Sequence, residues 1–360
     1  MDHPTFSRDV LALDAEAADA AIERIATMMT HALSRDLRRR GIVVGVSGGI
    51  DSSVCLALAA RALGPERVVA LLMPEADSDP SSQERGQRLC DVLGVEAVLE
   101  DIAPALTALG CYRRRDDAIR QVFPDFGDGW RQKITLAEGM LDTDRISYFN
   151  LTVADPDGKL QTERMPTDVY LTVVAATNMK QRTRKLIEYT HADARNFAVL
   201  GTPNRLEYEL GFFVRGGDGL ADVKPISHLY KTQVYALARH LGLPEDICNQ
   251  TPSTDTYSLP QTQEEFYYAL PYGEMDLVLW AWEHGVTPTD AGAVMGLRPD
   301  QIERAYRDIV AKRRAAERGL RDAVAVEHLD LSPRPGPGAS SSSAGTAWSD
   351  AAATSDGRGG

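Results

Sequence analysis

The fold is decided at residues 41–53, which read Gly41-Ile42-Val43-Val44-Gly45-Val46-Ser47-Gly48-Gly49-Ile50-Asp51-Ser52-Ser53. The β-branched run up to position 46 shows little polar alternation, which is typical of a strand buried on both faces of a parallel sheet. A helical apolar pattern begins near Asp51 and ends at Gly64-Pro65. Strand, glycine turn and helix in this order predict a phosphate site, because the helix start offers free N–H groups and the positive end of its dipole.

Further strands and helices alternate along the chain on both sides of this motif. The patterns predict strands at 68–73, 95–99 and 197–200, and helices at 51–63, 81–93, 167–193 and 231–241. A βαβαβ order favours an α/β, doubly wound, mainly parallel sheet with helices on both faces. Ligands of such sheets bind at the carboxyl ends of the strands.

Three parts are expected along the 360 residues. Residues 1–40 are predicted to be N-terminal helices, and 41–330 one main domain ending in two or three helices. Inside it, 111–168 is an irregular, polar insert of the length that often makes a lid, a substrate loop or a subunit contact. Within the insert, 155–158 reads Asp-Pro-Asp-Gly and is expected to be a turn between two strands. The Pro-, Gly- and Ser-rich tail at 331–360 has too few apolar residues to bury a core, so we expect disorder.

Composition excludes several kinds of partner. The net charge of -13 argues against nucleic acid and anionic membrane surfaces, since both need a basic face. The four cysteines form no CxxC pair, which favours idle thiols in a reducing cytoplasm. No apolar leader is visible at the N-terminus and no run of 18 apolar residues occurs, so a cytoplasmic protein without a membrane span is expected.

An acid inside a phosphate loop needs an explanation. The stretch at 47–53 contains no lysine and is neither GxxxxGK[ST] nor GxGxxG. Asp51 makes sense if it coordinates a Mg²⁺ ion that a polyphosphate also binds. The simpler alternative is a tight turn in which Asp51 caps the helix.

At these residues the sequence resembles a known superfamily, the N-type ATP pyrophosphatases, through the heptad at 47–53. The resemblance implies that the doubly wound sheet is of the adenine nucleotide alpha hydrolase-like class. Four later segments resemble NAD synthases in particular, and the likeness covers roughly residues 20–315. They are Gly201-Thr202-Pro203-Asn204-Arg205-Leu206-Glu207, the stretch from Gly211-Phe212-Phe213 through Gly217-Asp218-Gly219-Leu220-Ala221-Asp222-Val223-Lys224-Pro225-Ile226, Leu229-Tyr230-Lys231-Thr232-Gln233-Val234, and Thr251-Pro252-Ser253-Thr254-Asp255.

The resemblance implies a role for each matching residue. Asp51 and Glu207 would bind Mg²⁺, and together with Lys231, which would stabilise charge on the phosphates, they form the expected catalytic set. The implied ATP-binding residues are Gly45, Ser47, Gly48, Gly49, Ile50, Asp51, Ser52, Ser53, Thr202, Lys231 and Ser253. The implied substrate-binding residues are Arg182, Arg215, Asp222 and Phe212. Considered without the resemblance, Glu207 and Lys231 are also compatible with solvated surface side chains, and Phe212 with a side chain of the core.

The implied reaction adenylates a small-molecule carboxylate with ATP and then transfers ammonia to it, from deamido-NAD to NAD. No covalent protein nucleophile is needed. About 40 residues precede the loop, so ammonia, or a separate glutaminase, is the expected nitrogen source. The family further implies a homodimer.

The acyl-substrate half departs from the family pattern. Gln250 stands for an expected lysine, Arg215 for another, and Ala311-Lys312 for a His-Lys pair, while 256–272 is unusually aromatic. Two alternatives therefore stay open: the same chemistry on a sugar acid or natural-product precursor, and an ATP-binding protein without turnover.

Overall fold

A computed structural model describes residues 5–136, 148–250, 257–261, 267–268 and 270–326. The tail at 331–360 and the predicted ATP ligand Ser253 lie outside these residues. The chain divides into a compact unit that ends at Arg321 and a second unit that begins at Asp322. Within the second unit, 322–326 are exposed and form neither helix nor strand. No helix in the described ranges is long and apolar enough to cross a membrane.

The first unit contains the helices and strands of the described chain. The helices are α1 (Ala15–His31), α2 (Ile50–Leu63), α3 (Pro80–Leu93), α4 (Ala103–Ala108), α5 (Cys111–Ile119), α6 (Thr167–Arg195), α7 (Arg205–Leu210), α8 (Lys231–His240), α9 (Glu245–Cys248), α10 (Tyr272–Glu283), α11 (Pro288–Met295) and α12 (Pro299–Leu320). The strands are β1 (Ile42–Gly45), β2 (Val68–Leu72), β3 (Glu96–Leu99), β4 (Arg131–Leu136), β5 (Phe149–Ala154), β6 (Leu160–Arg164) and β7 (Ala198–Leu200).

The central sheet is parallel and has the order β3-β2-β1-β7. Side chains of β1 alternate between two cores: Ile42 and Val44 pack with α1, α2, α3 and α8, and Val43 packs with α4, α5 and α6. Strand β2 alternates in the same way. Both faces are buried, which is why these strands carry β-branched runs without polar alternation. The predicted doubly wound α/β fold is confirmed.

The strand order places a crevice next to β1. From β1 the chain moves outward to β2 and β3, and it later returns to the opposite side of β1 as β7. The loops after β1 and β7 therefore leave the sheet in opposite directions, and the gap between their carboxyl ends is where ligands of such sheets bind. Residues 201–202 follow β7 directly, as the sequence predicts.

The insert at 111–168 is more regular than the sequence analysis expects. Besides α5 it contains an antiparallel sheet of the order β4-β5-β6, and 155–158 connects β5 to β6 as predicted. One face of this sheet covers a small apolar core. The expectation of an irregular segment is wrong, because α5 and the strands β4, β5 and β6 make up much of the described part of the insert.

A buried ionic cluster joins the insert to the main sheet. Lys180 on α6 is 1% exposed and donates to Glu75 (2.8 Å) and Asp77 (2.5 Å) in the loop after β2. Arg115 of α5 also pairs with Asp77, and Tyr112 donates to Glu75 at 2.8 Å. Each buried charge has an opposite charge or a donor at hydrogen-bond distance, which offsets its loss of hydration.

We predict that Lys180→Met destabilises the protein by about 3 kcal/mol, because it leaves two buried carboxylates without their shared ammonium. Denaturant unfolding of both variants measures the effect. Arg113→Met is the control: it removes a mostly exposed helical ion pair with Asp117 (3.7 Å) on the same α5 helix. Equal midpoints for Lys180→Met and Arg113→Met would contradict a stabilising role for the cluster.

Candidate functional site

A cavity of about 670 Å³ opens at the carboxyl ends of β1, β2 and β7. Its wall includes the turn after β1, one side of α6 and the start of α8. The predicted ATP-binding residues that line it are Gly45, Ser47, Gly49, Ile50, Asp51, Ser52, Thr202 and Lys231, and Glu207 and Phe212 line it too. Residues 157 positions apart in sequence, such as Gly45 and Thr202, thus meet at one crevice.

The phosphate loop, residues 47–53, is shaped by one glycine and three hydroxyls. Gly48 has φ +75°, and a Cβ there would lie 2.4 Å from the carbonyl oxygen of Ser82, so only glycine fits this turn. The Ser47 hydroxyl accepts from the Gly49 N–H (3.3 Å) and lies 3.2 Å from the Ser52 hydroxyl. Ser53 does not line the cavity; its hydroxyl donates to the Gly49 carbonyl at 2.8 Å.

Asp51 and Lys231 meet at the centre of the site. Lys231, the first residue of α8, is 2% exposed and its ammonium donates to the Asp51 carboxylate. The buried Asn204 side chain donates to the other oxygen of Asp51 at 3.2 Å. An acid from the phosphate loop and a cation from a remote helix are therefore held in direct contact inside the cavity.

Glu207 is fixed by the start of α7. The Asn204 side chain accepts the Glu207 N–H, and the Glu207 carboxylate accepts the Asn204 N–H, each at 3.2 Å, which is a capping box. Asn204 consequently contacts both predicted Mg²⁺ ligands. Among the described residues there is no cluster of three or more His, Cys, Asp or Glu side chains suited to a metal, so the protein offers two carboxylates here.

These charges set the protonation of their neighbours. Burial alone would lower the pKa of Lys231, but the negative charges of Asp51 and Glu207 outweigh it and raise that pKa, so the amine stays an ammonium. Cys55 lies beneath them on α2, and burial together with the same two carboxylates raises the pKa of its thiol. A protonated, buried thiol is a poor nucleophile.

Asp276 on α10 holds Lys231 in place from behind. It is 0% exposed and accepts the backbone N–H groups of Lys231 (3.2 Å) and Thr232 (2.7 Å), so it caps the first turn of α8. Burial raises the pKa of Asp276 to about 6. The orientation of the site lysine thus depends on a carboxylate that does not line the cavity.

Gln250 connects the phosphate loop to a second cation. In the amide orientation that satisfies both neighbours, it donates to the Gly48 carbonyl (3.1 Å) and accepts from the Arg85 guanidinium (3.0 Å). Arg85 on α3 also donates to Ser81 (2.7 Å) and Ser82 (3.0 Å). Where the family resemblance implies a lysine, this chain therefore has a neutral amide with an arginine directly behind it.

A second charged group lines the cavity along α6. Lys185 donates to Glu188 at 2.7 Å, and both are buried. Burial raises the pKa of Glu188 and, on the neighbouring loop, of Asp218, which accepts the Val214 N–H at 2.7 Å. Burial also lowers the pKa of Lys224.

The predicted acyl-substrate residues are not brought together. Phe212 lines the cavity and packs against Tyr267 with ring centroids 4.8 Å apart. Arg182 is exposed and donates to the Arg215 carbonyl (3.2 Å), and Arg215 itself donates to the Arg321 carbonyl (3.0 Å). Asp222 accepts from the Val199 N–H (2.8 Å) and the Tyr189 hydroxyl (3.2 Å). These three do not line the cavity, and their substrate roles stay predictions.

Sequence reasoning missed four residues that shape the site: Asn204, Asp276, Arg85 and Glu188. Two of them carried a readable signal. Asn204 stands three residues before Glu207, the spacing of a capping box. Asp276 is a single acid within the apolar run Met275-Asp276-Leu277-Val278-Leu279-Trp280, where a charge needs a buried partner.

Fold and site together define a nucleotide-binding α/β protein with a phosphate loop and two carboxylates at the switch point of its sheet. The family model described as NAD synthase matches residues 21–122 and 130–315. The chain belongs to the NAD synthase family.

Similar proteins include two curated relatives. The NH(3)-dependent NAD(+) synthetase of Rhizobium meliloti (strain 1021) is 57% identical over 310 residues, covering 86% of this chain and 91% of the relative. The NH(3)-dependent NAD(+) synthetase of Rhizobium rhizogenes (strain K84 / ATCC BAA-868) is 52% identical over 313 residues, covering 87% and 93%.

A solved structure shares the fold. The NH3-dependent NAD synthetase of Campylobacter jejuni subsp. jejuni superposes with a TM-score of 0.56 at 22% identity, covering 88% of this chain and 100% of that one.

The hydrogen bond between Gln250 and Arg85 predicts how the KM for ATP changes when the charge at either position is altered. Gln250→Lys places a second cation beside Arg85, and Arg85→Gln removes the only cation of the contact. We expect each change to raise the KM for ATP roughly tenfold, because charge-assisted contacts contribute about 1.5–3 kcal/mol. The double variant restores one cation and should return the KM to within about threefold of wild type, as coupled sites do.

Steady-state kinetics with varied ATP measures these effects. Gln87→Lys adds the same charge on an exposed position of α3 and serves as the control. A double variant no better than the worse single variant would show that Gln250 and Arg85 act independently.

The raised pKa of Asp276 predicts that the unfolding free energy of the protein depends on pH. Its pKa is raised in the fold, so the folded state binds more protons than the unfolded state between about pH 4 and 6, and stability is lost as the pH rises through that window. Asp276→Asn removes this titration. The unfolding free energy of wild type minus that of Asp276→Asn should fall by about 2 kcal/mol from pH 4 to pH 7. Denaturant titrations across this range test it, and a pH-independent difference would contradict it.

Proposed function

We propose that this protein is an ammonia-dependent NAD synthetase, an ATP-dependent ligase that converts deamido-NAD, ATP and ammonia into NAD, AMP and pyrophosphate. One observation carries the site assignment: Asp51 of the phosphate loop and Lys231 of α8 are in contact within the crevice where ATP is expected. The names of relatives more than 50% identical over most of the chain support the substrate.

ATP binds with its phosphates at residues 47–53. Backbone N–H groups of the turn, the Ser47 and Ser52 hydroxyls and the start of α2 bind the polyphosphate. Lys231, which the neighbouring carboxylates keep protonated, stabilises the negative charge that builds on the α-phosphate and the leaving pyrophosphate. Thr202, after β7, contacts the adenylate, and Ser253 adds a hydroxyl to the phosphates.

Asp51 and Glu207 are the residues that would hold Mg²⁺. Both line the cavity, and both are oriented by Asn204. Two carboxylates and a polyphosphate match the oxygen ligands that Mg²⁺ prefers. The bound ion supplies charge neutralisation to the triphosphate.

The reaction has two steps. The carboxylate oxygen of deamido-NAD attacks the α-phosphorus of ATP, the bond to pyrophosphate breaks, and an acyl adenylate forms. Ammonia then attacks the acyl carbon, AMP leaves with the electrons of the C–O bond, and one proton of the ammonia is released to solvent. The protein positions the reactants and stabilises charge. Cys55 takes no covalent part, because its thiol stays protonated and buried.

Binding of the acyl substrate and the assembly complete the proposal. Arg182, Arg215, Asp222 and Phe212 contact deamido-NAD in a homodimer, and a separate glutaminase is one source of ammonia. We place the enzyme in the cytoplasm, a proposal supported by the four buried cysteines, all of which are free thiols.

The function is tested by supplying ATP, Mg²⁺, ammonium and deamido-NAD to the purified protein and following AMP and NAD. Wild type should form both in equal amounts. Asp51→Asn keeps the side-chain shape but loses the charge, so we expect at least a hundredfold lower rate with an unchanged circular dichroism spectrum. Asp36→Asn, an exposed carboxylate outside the cavity, is the matched control.

Other outcomes separate the alternatives. AMP formation with a different carboxylic acid, but not with deamido-NAD, would overturn the substrate. Absence of AMP with every acid of a broad panel would overturn catalysis itself. Full turnover by Asp51→Asn would overturn the site assignment.

A further inference from the structure

One face of α6 lines the whole length of the cavity. Its cavity residues recur at spacings of three and four and are Tyr170, Val174, Thr177, Asn178, Gln181, Arg184, Lys185 and Glu188. Their chemistry changes along the helix, from aromatic and apolar, through two amides, to charged. Tyr170 and Glu188 lie 18 residues apart, which is about 27 Å along the helix axis. The face fits an elongated ligand with a planar group at one end and charge at the other.

The charged end of this face lies next to the end of β1. A Cβ on Gly45, the last residue of β1, would lie 3.0 Å from a carboxylate oxygen of Glu188. Glu188 therefore lies beneath the start of the phosphate loop. Tyr170 lies at the opposite end of the face, next to the insert.

The insert contributes a ring to that far end. Phe149 on β5 stacks on Tyr170, with ring centroids 4.2 Å apart and planes 11° from parallel. Both rings line the cavity. We call this pair the aromatic shelf (Phe149 and Tyr170). A flat heterocycle can extend such a stack, and aromatic side chains bind nucleobases in this way.

The aromatic shelf rests on a rigid support. Strand β5 pairs with β4 on one side and β6 on the other, and the apolar side chains of β4 and β5 fill the core of the insert. The segment 257–261 continues this support, because Leu259 donates its N–H to the Gln132 carbonyl (3.0 Å) and Gln132 donates to the Ser258 hydroxyl (2.9 Å). A ring held this firmly loses little entropy when a ligand stacks on it.

Arg113, Arg114 and Arg115 of the insert do not contribute side chains to the cavity. Arg115 lies in the buried ionic cluster, and Arg113 pairs with Asp117 on the surface of α5. Neither they nor Arg114 line the cavity. What the described residues of the insert add to the cavity is aromatic surface rather than positive charge.

We propose that the aromatic shelf binds the adenine ring of deamido-NAD, the base farthest from the carboxylate that reacts. The inference rests on the proposed function. The reacting acid must meet the α-phosphate near the phosphate loop, so the rest of the dinucleotide extends away from the sheet, and α6 leads from there to the aromatic shelf. Stacking on the insert then supplies substrate affinity in a chain that has Gln250 and Arg215 in place of two lysines.

Phe149→Leu tests this, because leucine keeps the packing volume but has no ring face. Isothermal titration calorimetry, which needs no turnover, should show about tenfold weaker binding of deamido-NAD, within the range of base stacking, and unchanged binding of a non-hydrolysable ATP analogue. Phe149→Tyr should restore affinity. Tyr148→Leu is the matched control: this exposed neighbour is also aromatic but does not line the cavity.

Titration with nicotinic acid mononucleotide identifies which ring of deamido-NAD contacts the aromatic shelf, since the mononucleotide has the same acid end but no adenosine. Its affinity should be equal for wild type and Phe149→Leu. A loss with the mononucleotide as well would assign the pyridine ring to the aromatic shelf, and a loss confined to the ATP analogue would assign the ATP base; either overturns the proposal. Unchanged deamido-NAD binding also overturns it. Wild-type turnover, measured separately, shows whether the proposed function itself holds.

Discussion

The site depends on one contact, the pairing of the Lys231 ammonium with the Asp51 carboxylate inside a cavity. Taking both charges out of water costs several kcal/mol, and their attraction offsets this only if the remaining hydrogen-bonding groups are satisfied. Asn204 satisfies Asp51, and Asp276 holds the backbone that presents Lys231. The result, in a protein with a net charge of -13, is a fixed ammonium at the place where we propose that the triphosphate binds.

The topology of the sheet makes this contact possible. Asp51 follows β1, and Lys231 follows the segment after β7, so 180 residues of chain separate two atoms that touch. Because β7 returns to the free side of β1, the loops after the two strands diverge around a crevice. Glu207, Asn204 and Thr202 reach the crevice from the β7 side, and the phosphate loop reaches it from the β1 side. An interaction between distant segments thus rests on neighbouring parallel strands.

Local sequence patterns predicted many of the residues that line the cavity near the phosphate loop, which we call the phosphate half of the cavity. The conformation of the phosphate loop is set by its own residues, above all Gly48. Glu207 belongs to a capping box whose residues lie within the four consecutive positions 204–207. Arg85 escaped prediction because its contact with Gln250 joins distant segments, which no local pattern encodes. Asp276 carried a signal as a single acid in an apolar run, but that signal does not identify its partners, which lie 44 and 45 residues away at the start of α8.

The two halves of the cavity therefore have different physical origins. The phosphate half is built from short motifs whose hydrogen bonds are mostly local. This half tolerates few substitutions, since position 48 has no room for a side chain. The far half is built by docking one sheet against one helix, and Phe149 stacks on Tyr170 only because β5 is held between two other strands. Stacking depends on flat surface rather than on one donor position, so an insert can take over affinity that lysines supply elsewhere. Divergence in the acyl half is then compatible with an unchanged reaction.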